Sequence, residues 1–273
     1  MITLILKEPP SVPLEAEMLT PDVMASLSIE EIRALPVYLG KRQRRVDDFF
    51  AVDGERSDEI EIHGDARRVK WIGRGMTRGR VIIRGNAGMH LGSQMKGGAI
   101  EVYGDAADWV GAEMAGGVIR IHGNAGGQIG AAYRGSIAGM RDGTILIDGS
   151  AGLEVGMRMK RGLIGVGGAV RDFAGLQMKG GTIVLGGGAE LRTGAWMNRG
   201  TIVSLAPIPL LPTFAYAATY NPTFLRLYAR HLATLGFILP FEDRAGAYDR
   251  YTGDACVPGK GEILIWRPKE AVS

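Results

Sequence analysis

The sequence predicts a mainly β protein, a right-handed single-stranded parallel β-helix of about seven 19-residue turns with short helical flanks. Three observations lead to this prediction. Glycine supplies 42 of 273 residues, about twice its average share. A glycine that ends a short apolar stretch recurs, in most cases with a 19-residue period. Apolar residues keep fixed places within each unit, so a stack of units would bury one continuous core.

The repeat is defined by the glycines that end the apolar stretches. These glycines are Gly64, Gly85, Gly104, Gly123, Gly149, Gly168 and Gly187. Four of the six gaps follow the 19-residue period, and the gaps after Gly64 and Gly123 are longer. The longer gaps indicate one two-residue and one seven-residue insertion, and we expect each to be a surface loop.

Each unit contains an alternating segment that is typical of a strand with one buried face. The residues four before the glycine are Ile60, Val81, Ile100, Ile119, Ile145, Ile164 and Ile183. The residues two before it are Ile62, Ile83, Val102, Ile121, Ile147, Val166 and Leu185. Polar residues such as Glu61, Arg84 and Arg120 alternate with them, and Thr201–Leu205 begins an eighth strand.

Two further glycine columns and a methionine column complete the unit. The middle glycines are Gly92, Gly111, Gly130, Gly156, Gly175 and Gly194, and the closing ones are Gly79, Gly98, Gly117, Gly143, Gly162, Gly181 and Gly200. Three residues before the closing glycines stand Met76, Met95, Met114, Met140, Met159, Met178 and Met197. We expect the glycines at corners with positive φ and at close contacts between turns, and the methionines in the core. Seven turns spaced as strands in a sheet would form a rod of about 35 Å.

The chain divides into three predicted segments: an N-terminal strand and helical cap (1–58), the β-helix (59–205), and a C-terminal capping or docking segment with one helix (206–273). The apolar run near Met1 predicts a first strand. Thr20 with Pro21, and Ser28 with Glu31, predict the starts of two short helices, of which the second ends at Pro36.

The C-terminal helix is predicted to begin at Asn221 as cap and to stop at Gly236. Its apolar face comprises Phe224, Leu225, Tyr228, Leu232 and Leu235. We expect both flanks to cover the open ends of the rod, because an uncovered end exposes unpaired backbone groups. The uncharged stretch 200–225 either folds under this helix or docks on another subunit.

Composition excludes several classes of protein. The net charge is only +3 and the basic residues are dispersed, which argues against a nucleic-acid binder. The one cysteine, Cys256, excludes an internal disulfide and favours a cytoplasmic location. The N-terminus has no signal-peptide pattern, and four prolines interrupt the stretch 200–225, so no membrane span is expected. The segment 165–175 resembles a dinucleotide-binding fingerprint but is in phase with the repeats.

No catalytic residue and no metal site are predicted. The histidines are His63, His90, His122 and His231. His63 and His122 share a column but lie three turns, about 14 Å, apart, which is too far to share a metal. Cys256 has no histidine nearby in the sequence. Asp65, Asp105 and Asp148 flank turns, where we expect them to accept backbone hydrogen bonds.

One surface feature is a candidate for binding, a basic stripe beside the methionine column. It comprises Arg78, Lys96, Arg141, Lys160, Arg161, Lys179 and Arg199. Stacked turns would bring these side chains onto one edge of the rod. One interpretation is solubility and protection of the edge, and the other is an acidic partner surface or an anionic substrate tail.

Several segments resemble a known family. The repeats GNAGMHLGSQMKGG, GNAGGQIGAAYRG and GSAGLEVGMRMKRG resemble the GxxGxxxG repeats of the glutamate synthase C-terminal β-helix. They resemble more closely the C subunit of formylmethanofuran dehydrogenase. The flanks LSIEEIRALPVYLGKRQRRVDDFFAVDG and TYNPTFLRLYARHLATLGF extend that resemblance over nearly the whole chain.

The resemblance implies a structural subunit without catalytic residues. A related subunit belongs to the bacterial formyltransferase/hydrolase complex, which transfers formyl from formyltetrahydromethanopterin to a methanofuran analogue and hydrolyses it to formate. The implied partners are an amidohydrolase-like subunit, a formyltransferase subunit and a dehydrogenase-B-like subunit. Zinc, the methanofuran analogue and tetrahydromethanopterin are implied on those partners, and no cofactor on this chain.

Arginine outnumbers lysine 24 to 8, a usage typical of high-GC genomes that favours the bacterial complex. Three alternatives stay open within the resemblance. The first alternative is the C subunit of a tungsten or molybdenum formylmethanofuran dehydrogenase. The second is a glutamate synthase-like β-helix domain. The third concerns the basic stripe, which would bind a polyglutamate-type cofactor tail.

Overall fold

The computed structural model describes residues 1–238 and 246–267. They form a mainly β protein with a large, parallel-rich sheet and few helices. One sheet has 13 strands and a second, smaller one has four. In these two described ranges, no helix combines the length and the apolar composition needed to cross a membrane.

The repeats supply the middle of the large sheet. Their strands are β6 (Glu59–His63), β7 (Val69–Lys70), β8 (Arg80–Arg84), β9 (Lys96–Val102), β10 (Ala115–Ile121), β11 (Asp142–Ile147), β12 (Leu163–Val166), β13 (Lys179–Leu185) and β14 (Arg199–Ser204). All except β7, which belongs to the four-stranded sheet, pair in parallel with the strand of a neighbouring repeat. Ile100 pairs with Ile119, and Ile119 with Ile145, so the predicted isoleucine column is confirmed across the seven-residue insertion.

Other backbone ladders join the same repeats outside these strands. Single parallel bridges link Ala66 to Ala87 and continue repeat by repeat to Ala189. At the middle glycines, the N–H of Gly111 donates to the carbonyl oxygen of Leu91 at 2.8 Å, and the pattern recurs at Gly130. Each repeat is therefore bonded to its neighbour on several sides.

The predicted methionine column is confirmed as core. All seven side chains are fully buried. In the middle of the stack, the methyl group of each of these methionines lies under the closing glycine of the next repeat. A Cβ on Gly98 would lie 2.5 Å from Cε of Met76, and a Cβ on Gly117 would lie 2.7 Å from Cε of Met95. The methionine thus fills the space that a side chain at the closing position would need.

Glycine is required in the two columns for two different physical reasons. Gly92 has a φ of +59°, and a Cβ there would also lie 2.5 Å from Cδ1 of Ile119. Gly104 lies outside the positive-φ region, but its Cβ would lie 2.7 Å from the carbonyl oxygen of Gly85. The first column therefore marks left-handed corners, and the second marks close stacking between repeats.

The N-terminal segment lies against the first repeat. It contains β1 (Ile2–Leu6), β2 (Leu14–Glu15), α1 (Pro21–Met24), α2 (Ile29–Arg33), β3 (Pro36–Leu39), β4 (Arg42–Arg45), α3 (Val46–Phe49) and β5 (Phe50–Gly54). β1 pairs in parallel with β6. The capping box of Ser28 and Glu31 is present, and the Thr20 hydroxyl accepts from the N–H of Val23. The short sheet β4-β3-β2-β7 and α3 were not predicted.

The C-terminal segment adds strands to the other end. It contains β15 (Ala215–Tyr220), α4 (Leu225–Thr234), β16 (Ala247–Gly253) and β17 (Gly261–Arg267). β17 pairs in parallel with β14, and β16 and β15 follow in antiparallel order. Strands rather than the helix therefore cover this end. The last residues of the predicted segment, 268–273, lie outside the described residues.

Two predictions for the C-terminal helix were wrong. α4 begins at Leu225, and Asn221 does not cap it, because residues 222–225 first form a turn in which the N–H of Leu225 donates to the carbonyl oxygen of Pro222. The helix also lies on the outer face of the sheet instead of the end of the stack. There Leu225 and Leu232 pack in one cluster with apolar residues of β11 to β14. Both faces of these strands are consequently buried, whereas the alternation predicts one. The predicted stop is confirmed, since Gly236 has a φ of +71°.

The uncharged stretch 200–225 divides between two environments. Ile208 and Phe214 are buried in the core of the repeats, while Leu205 packs with the cluster around α4. The side chains of residues 215–218 are exposed on β15, which is the edge of the large sheet. Docking of this edge on another subunit stays a prediction.

Candidate functional site

The basic stripe lies along one corner of the stack. After every core methionine except Met76, the next residue donates its N–H to the methionine carbonyl of the preceding repeat, as in Lys96 to Met76 at 2.8 Å and Lys179 to Met159 at 2.7 Å. Arg141 and Lys160 occupy the same register. This position is uncharged in three repeats, at Thr77, Ala115 and Asn198. The spacing of the repeats therefore brings these cations to one edge.

All seven cations of the stripe are exposed and form no direct ion pairs within the described residues. The ammonium of Lys179 donates to the carbonyl oxygen of Ile137, 2.9 Å away, in the seven-residue insertion. Lys260 extends the stripe beyond the repeats, because its N–H donates to the carbonyl oxygen of Asn198 at 2.7 Å. Sequence periodicity missed Lys260, which lies outside the repeats.

The strand-end histidines take part in surface ion networks. The ring of His122 lies 3.0 Å from a carboxylate oxygen of Glu101 and 3.0 Å from one of Asp148. His63 lies 3.2 Å from Glu61. Asp148 also pairs with Arg120, so side chains engage this carboxylate where we expected a backbone N–H.

The predicted role of the other turn aspartates is confirmed. The carboxylate of Asp105 accepts from the N–H of Asn124 at 2.7 Å, which joins two neighbouring repeats. The carboxylate of Asp65 accepts from the N–H of Arg67 at 3.4 Å. These acids therefore hold turns together rather than form a reactive pair.

Few groups with catalytic chemistry come together. Across residues 1–238 and 246–267, no three side chains of the types His, Cys, Asp and Glu are grouped to hold a metal ion. Cys256 is exposed, and desolvation together with the Asp254 carboxylate raises the pKa of its thiol. A raised pKa keeps the thiol protonated at neutral pH, which makes it a poor nucleophile. The segment 165–175 runs from β12 into the next repeat with no helix.

An aromatic cluster that sequence analysis missed covers three consecutive repeats. It consists of Trp71, His90, Trp109 and Tyr133. The rings of Trp71 and His90 are stacked with centroids 4.0 Å apart, and those of Trp109 and Tyr133 are 5.0 Å apart. The first three residues follow the 19-residue period, each two before a glycine, and each has a positive φ of 64–69°. That periodic placement was the available signal.

Tyr133 ties the seven-residue insertion to this cluster. Its hydroxyl lies 2.9 Å from Nδ1 of His90 and 2.7 Å from the hydroxyl of Ser93. Burial of the imidazole, followed by the charges of Lys70 and Arg74, lowers the pKa of His90 to about 4. The ring is therefore neutral at physiological pH and acts as a hydrogen-bonding aromatic group.

Comparison with known proteins connects this arrangement to one family. No protein-family model matches the chain. Over 92 residues the chain is 44% identical to the C subunit of the tungsten-containing formylmethanofuran dehydrogenase 2 of Methanothermobacter wolfeii. Over 95 residues it is 40% identical to the C subunit of the molybdenum-containing formylmethanofuran dehydrogenase 1 of Methanosarcina barkeri. In these alignments the chain spans 34% and 32% of the length of the relative.

A solved structure matches over much more of the chain. It is the crystal structure of the formyltransferase/hydrolase complex (FhcABCD) from Methylorubrum extorquens in complex with methylofuran. The match has a TM-score of 0.89 and 32% sequence identity, and it covers 97% of this chain and 100% of the matched chain. The chain therefore belongs to the family of formylmethanofuran dehydrogenase C subunits, together with the matching subunit of that complex.

Proposed function

We propose that this chain is a non-catalytic structural subunit of a formyltransferase/hydrolase complex. The observation that carries the proposal is the likeness to a subunit of such a complex over 97% of the chain, at a TM-score of 0.89. In the proposed reaction, a formyl group passes from formyltetrahydromethanopterin to a methanofuran analogue and is hydrolysed to formate. The chain would hold the catalytic subunits in register.

The dehydrogenase is the second candidate. The C subunits of tungsten and molybdenum formylmethanofuran dehydrogenases are 40–44% identical to this chain over about a third of its length. Their local identity is higher, but the match to the formyltransferase/hydrolase subunit includes both flanks. We favour the hydrolase complex because a docking subunit is defined by its whole surface.

The proposed architecture behind this role is a right-handed single-stranded parallel β-helix. Parallel pairing of successive repeats at the strands, at the bridges from Ala66 to Ala189 and at the middle glycines supports it. Parallel connections in sheets are right-handed with few exceptions. Such a rod resists bending, because each repeat is bonded to the next on several sides.

We propose that the basic stripe is one of the docking faces. Its exposed, unpaired cations fit an acidic surface on a partner subunit. The edge strand β15 is a second candidate face, because its own sequence carries no charged side chain to guard it. The chemistry, with zinc, the methanofuran analogue and tetrahydromethanopterin, would belong to amidohydrolase-like, formyltransferase and dehydrogenase-B-like subunits. The single cysteine, Cys256, supports the cytoplasm as its location.

Purification of the tagged chain from its native host tests the proposal. We expect co-purifying subunits that together transfer and hydrolyse formyl groups, and no such activity from the chain alone. Partners with tungsten or molybdenum and iron–sulfur clusters would favour the dehydrogenase instead. Formyl transfer or hydrolysis by the isolated chain would refute the structural role.

A further inference from the structure

The seven-residue insertion forms an exposed loop beside the basic stripe. It covers residues 133–139, between Gly123 and Gly149, where the glycine series has its longest gap. Ile137 at its tip has 72% of its surface exposed, while Ala138 and Gly139 behind it are buried. The loop thus presents one aliphatic side chain to solvent.

Bonds from two later repeats hold the loop in one conformation. The guanidinium of Arg158 donates to the carbonyl oxygen of Ser136 at 2.5 Å, and the ammonium of Lys179 donates to that of Ile137 at 2.9 Å. Within the loop, the N–H of Ser136 donates to the carbonyl oxygen of Tyr133 at 2.9 Å. The carbonyl groups of the tip are therefore anchored.

The aromatic cluster fixes the base of the loop. The Tyr133 ring stacks on Trp109, and its hydroxyl binds His90 and Ser93, two repeats earlier in the chain. Ser93 is fully buried. A loop fixed before binding loses little conformational entropy when a partner docks. Its isoleucine is consequently more suited to insertion than one on a mobile loop.

Basic residues outnumber acidic ones in and beside the loop. Arg134 lies in the loop and Arg141 stands two residues after its last residue, Gly139. The N–H of Lys160 donates to the carbonyl oxygen of Met140, which directly follows the loop. All three side chains are exposed, and in the described residues none of them forms a direct ion pair, although the charge of Arg141 acts on the Glu113 carboxylate.

Two carboxylates near the base of the loop already accept hydrogen bonds. The exposed Asp142, next to Arg141, accepts from the N–H of Gly143 at 2.8 Å. Glu113 accepts from the side-chain amide of Gln94 and from the N–H of Tyr133. A single exposed isoleucine is common on protein surfaces. Ile137 differs from that common case because hydrogen bonds hold its loop and basic residues lie beside it.

We propose that loop 133–139 is a preformed docking element that inserts Ile137 into an apolar pocket ringed by carboxylates on a partner subunit. The inference rests on the proposed function, because it requires a partner. The aliphatic tip would supply the desolvated centre of the contact and the surrounding cations its polar rim. The stripe would steer the encounter, and the loop would fix the register.

Binding between this chain and its own partners tests the inference. The partner subunits are first captured on the tagged wild-type chain and released with salt, and then rebound to purified variants. Ile137→Asp should weaken binding at least about tenfold, because a charge would enter the pocket. Ile137→Ala should weaken it by a smaller factor. Leu227→Asp on α4, which is 67% exposed, should change it less than about twofold.

The variant Tyr133→Phe tests the rigidity of loop 133–139 separately from the contact made by Ile137. It keeps the ring but removes the bonds to His90 and Ser93, so we expect weaker binding with an unchanged Ile137 tip. All variants should unfold at the wild-type temperature except Tyr133→Phe, which should unfold slightly lower.

The outcomes distinguish the two proposals. Capture of partners by the wild type together with undiminished binding of Ile137→Asp would overturn the inference alone. Self-association of the chain that depends on Ile137 would also overturn it. If the wild-type chain captures no partner subunit, the proposed function fails and this inference fails with it.

Discussion

The imidazole of His90 lies almost parallel to the indole of Trp71, with ring centroids 4.0 Å apart and planes 7° apart. A proton on this ring would be desolvated between aromatic groups and would lie close to Lys70 and Arg74. The protein therefore holds the ring neutral, and the neutral ring pairs with the hydroxyl of Tyr133.

The first prediction concerns acid. Folding lowers the pKa of His90 from 6.5 to about 4, so the unfolded chain binds this proton more readily. The stabilising contribution is fully present above pH 6.5 and is lost as the pH falls towards 4. We expect the urea midpoint to fall over this range in the wild type and to fall less in His90→Phe. Equal slopes in the wild type and in His90→Phe would contradict the account of His90.

The second prediction concerns the methionine column. Met159 is fully buried, and its methyl end lies under Gly181. Met159→Ala should reduce the free energy of unfolding by about 2–5 kcal/mol, because it leaves a cavity. Met159→Leu should cost less than about 1.5 kcal/mol. Urea denaturation measures both, with exposed Arg161→Ala as the control. An alanine variant as stable as the control would show that this column does not form the core.

The third prediction separates the two reasons for glycine. Gly104→Ala places a methyl group 2.7 Å from the carbonyl oxygen of Gly85, a backbone atom that the neighbouring repeats fix. We expect a loss of about 2–3 kcal/mol. Gly75→Ala has a φ of +65° but nothing within 4 Å of the new methyl, so it should cost only about 1 kcal/mol. Thermal and urea unfolding of the pair measure the difference, and the reverse order would refute close stacking at Gly104.

The fourth prediction concerns the basic stripe. The double variant Lys96→Glu and Lys160→Glu should weaken partner binding, and the loss should shrink as salt is added. Both lysines are exposed, so the unfolding temperature should stay near that of the wild type. The pair Arg226→Glu and Arg230→Glu on α4 changes the net charge equally and serves as the control. If the two double variants weaken binding to the same extent, net charge and not the stripe governs association.

The periodic part of the molecule could be predicted from the sequence, because each column repeats at a fixed spacing. Ile100, Ile119 and Ile145 stay in register although the last pair is separated by the insertion. Met114 is buried as its position in the unit predicts. Periodicity identifies which residues share a column without any knowledge of the fold.

The non-periodic contacts could not be predicted in the same way. β17 lies beside β14 although the whole stretch 205–260 separates the two strands, and no spacing in the sequence links them. Tyr133 reaches His90 because the insertion folds back over earlier repeats, which depends on the loop's own conformation. The sequence did contain a signal for the position of α4. Leu146 and Val184 are apolar at outward positions that a solvated sheet face would leave polar.

The pairing of β1 with β6 and of β17 with β14 sets an order of events during synthesis. The first repeat receives its protective strand as soon as it emerges from the ribosome, since that strand precedes it. Every later repeat is added to a growing template whose free edge stays open until residues 261–267 have been made. A ribosome that pauses within the repeats therefore carries an aggregation-prone intermediate. Slow codons just before β17 should increase the demand of this intermediate for chaperones.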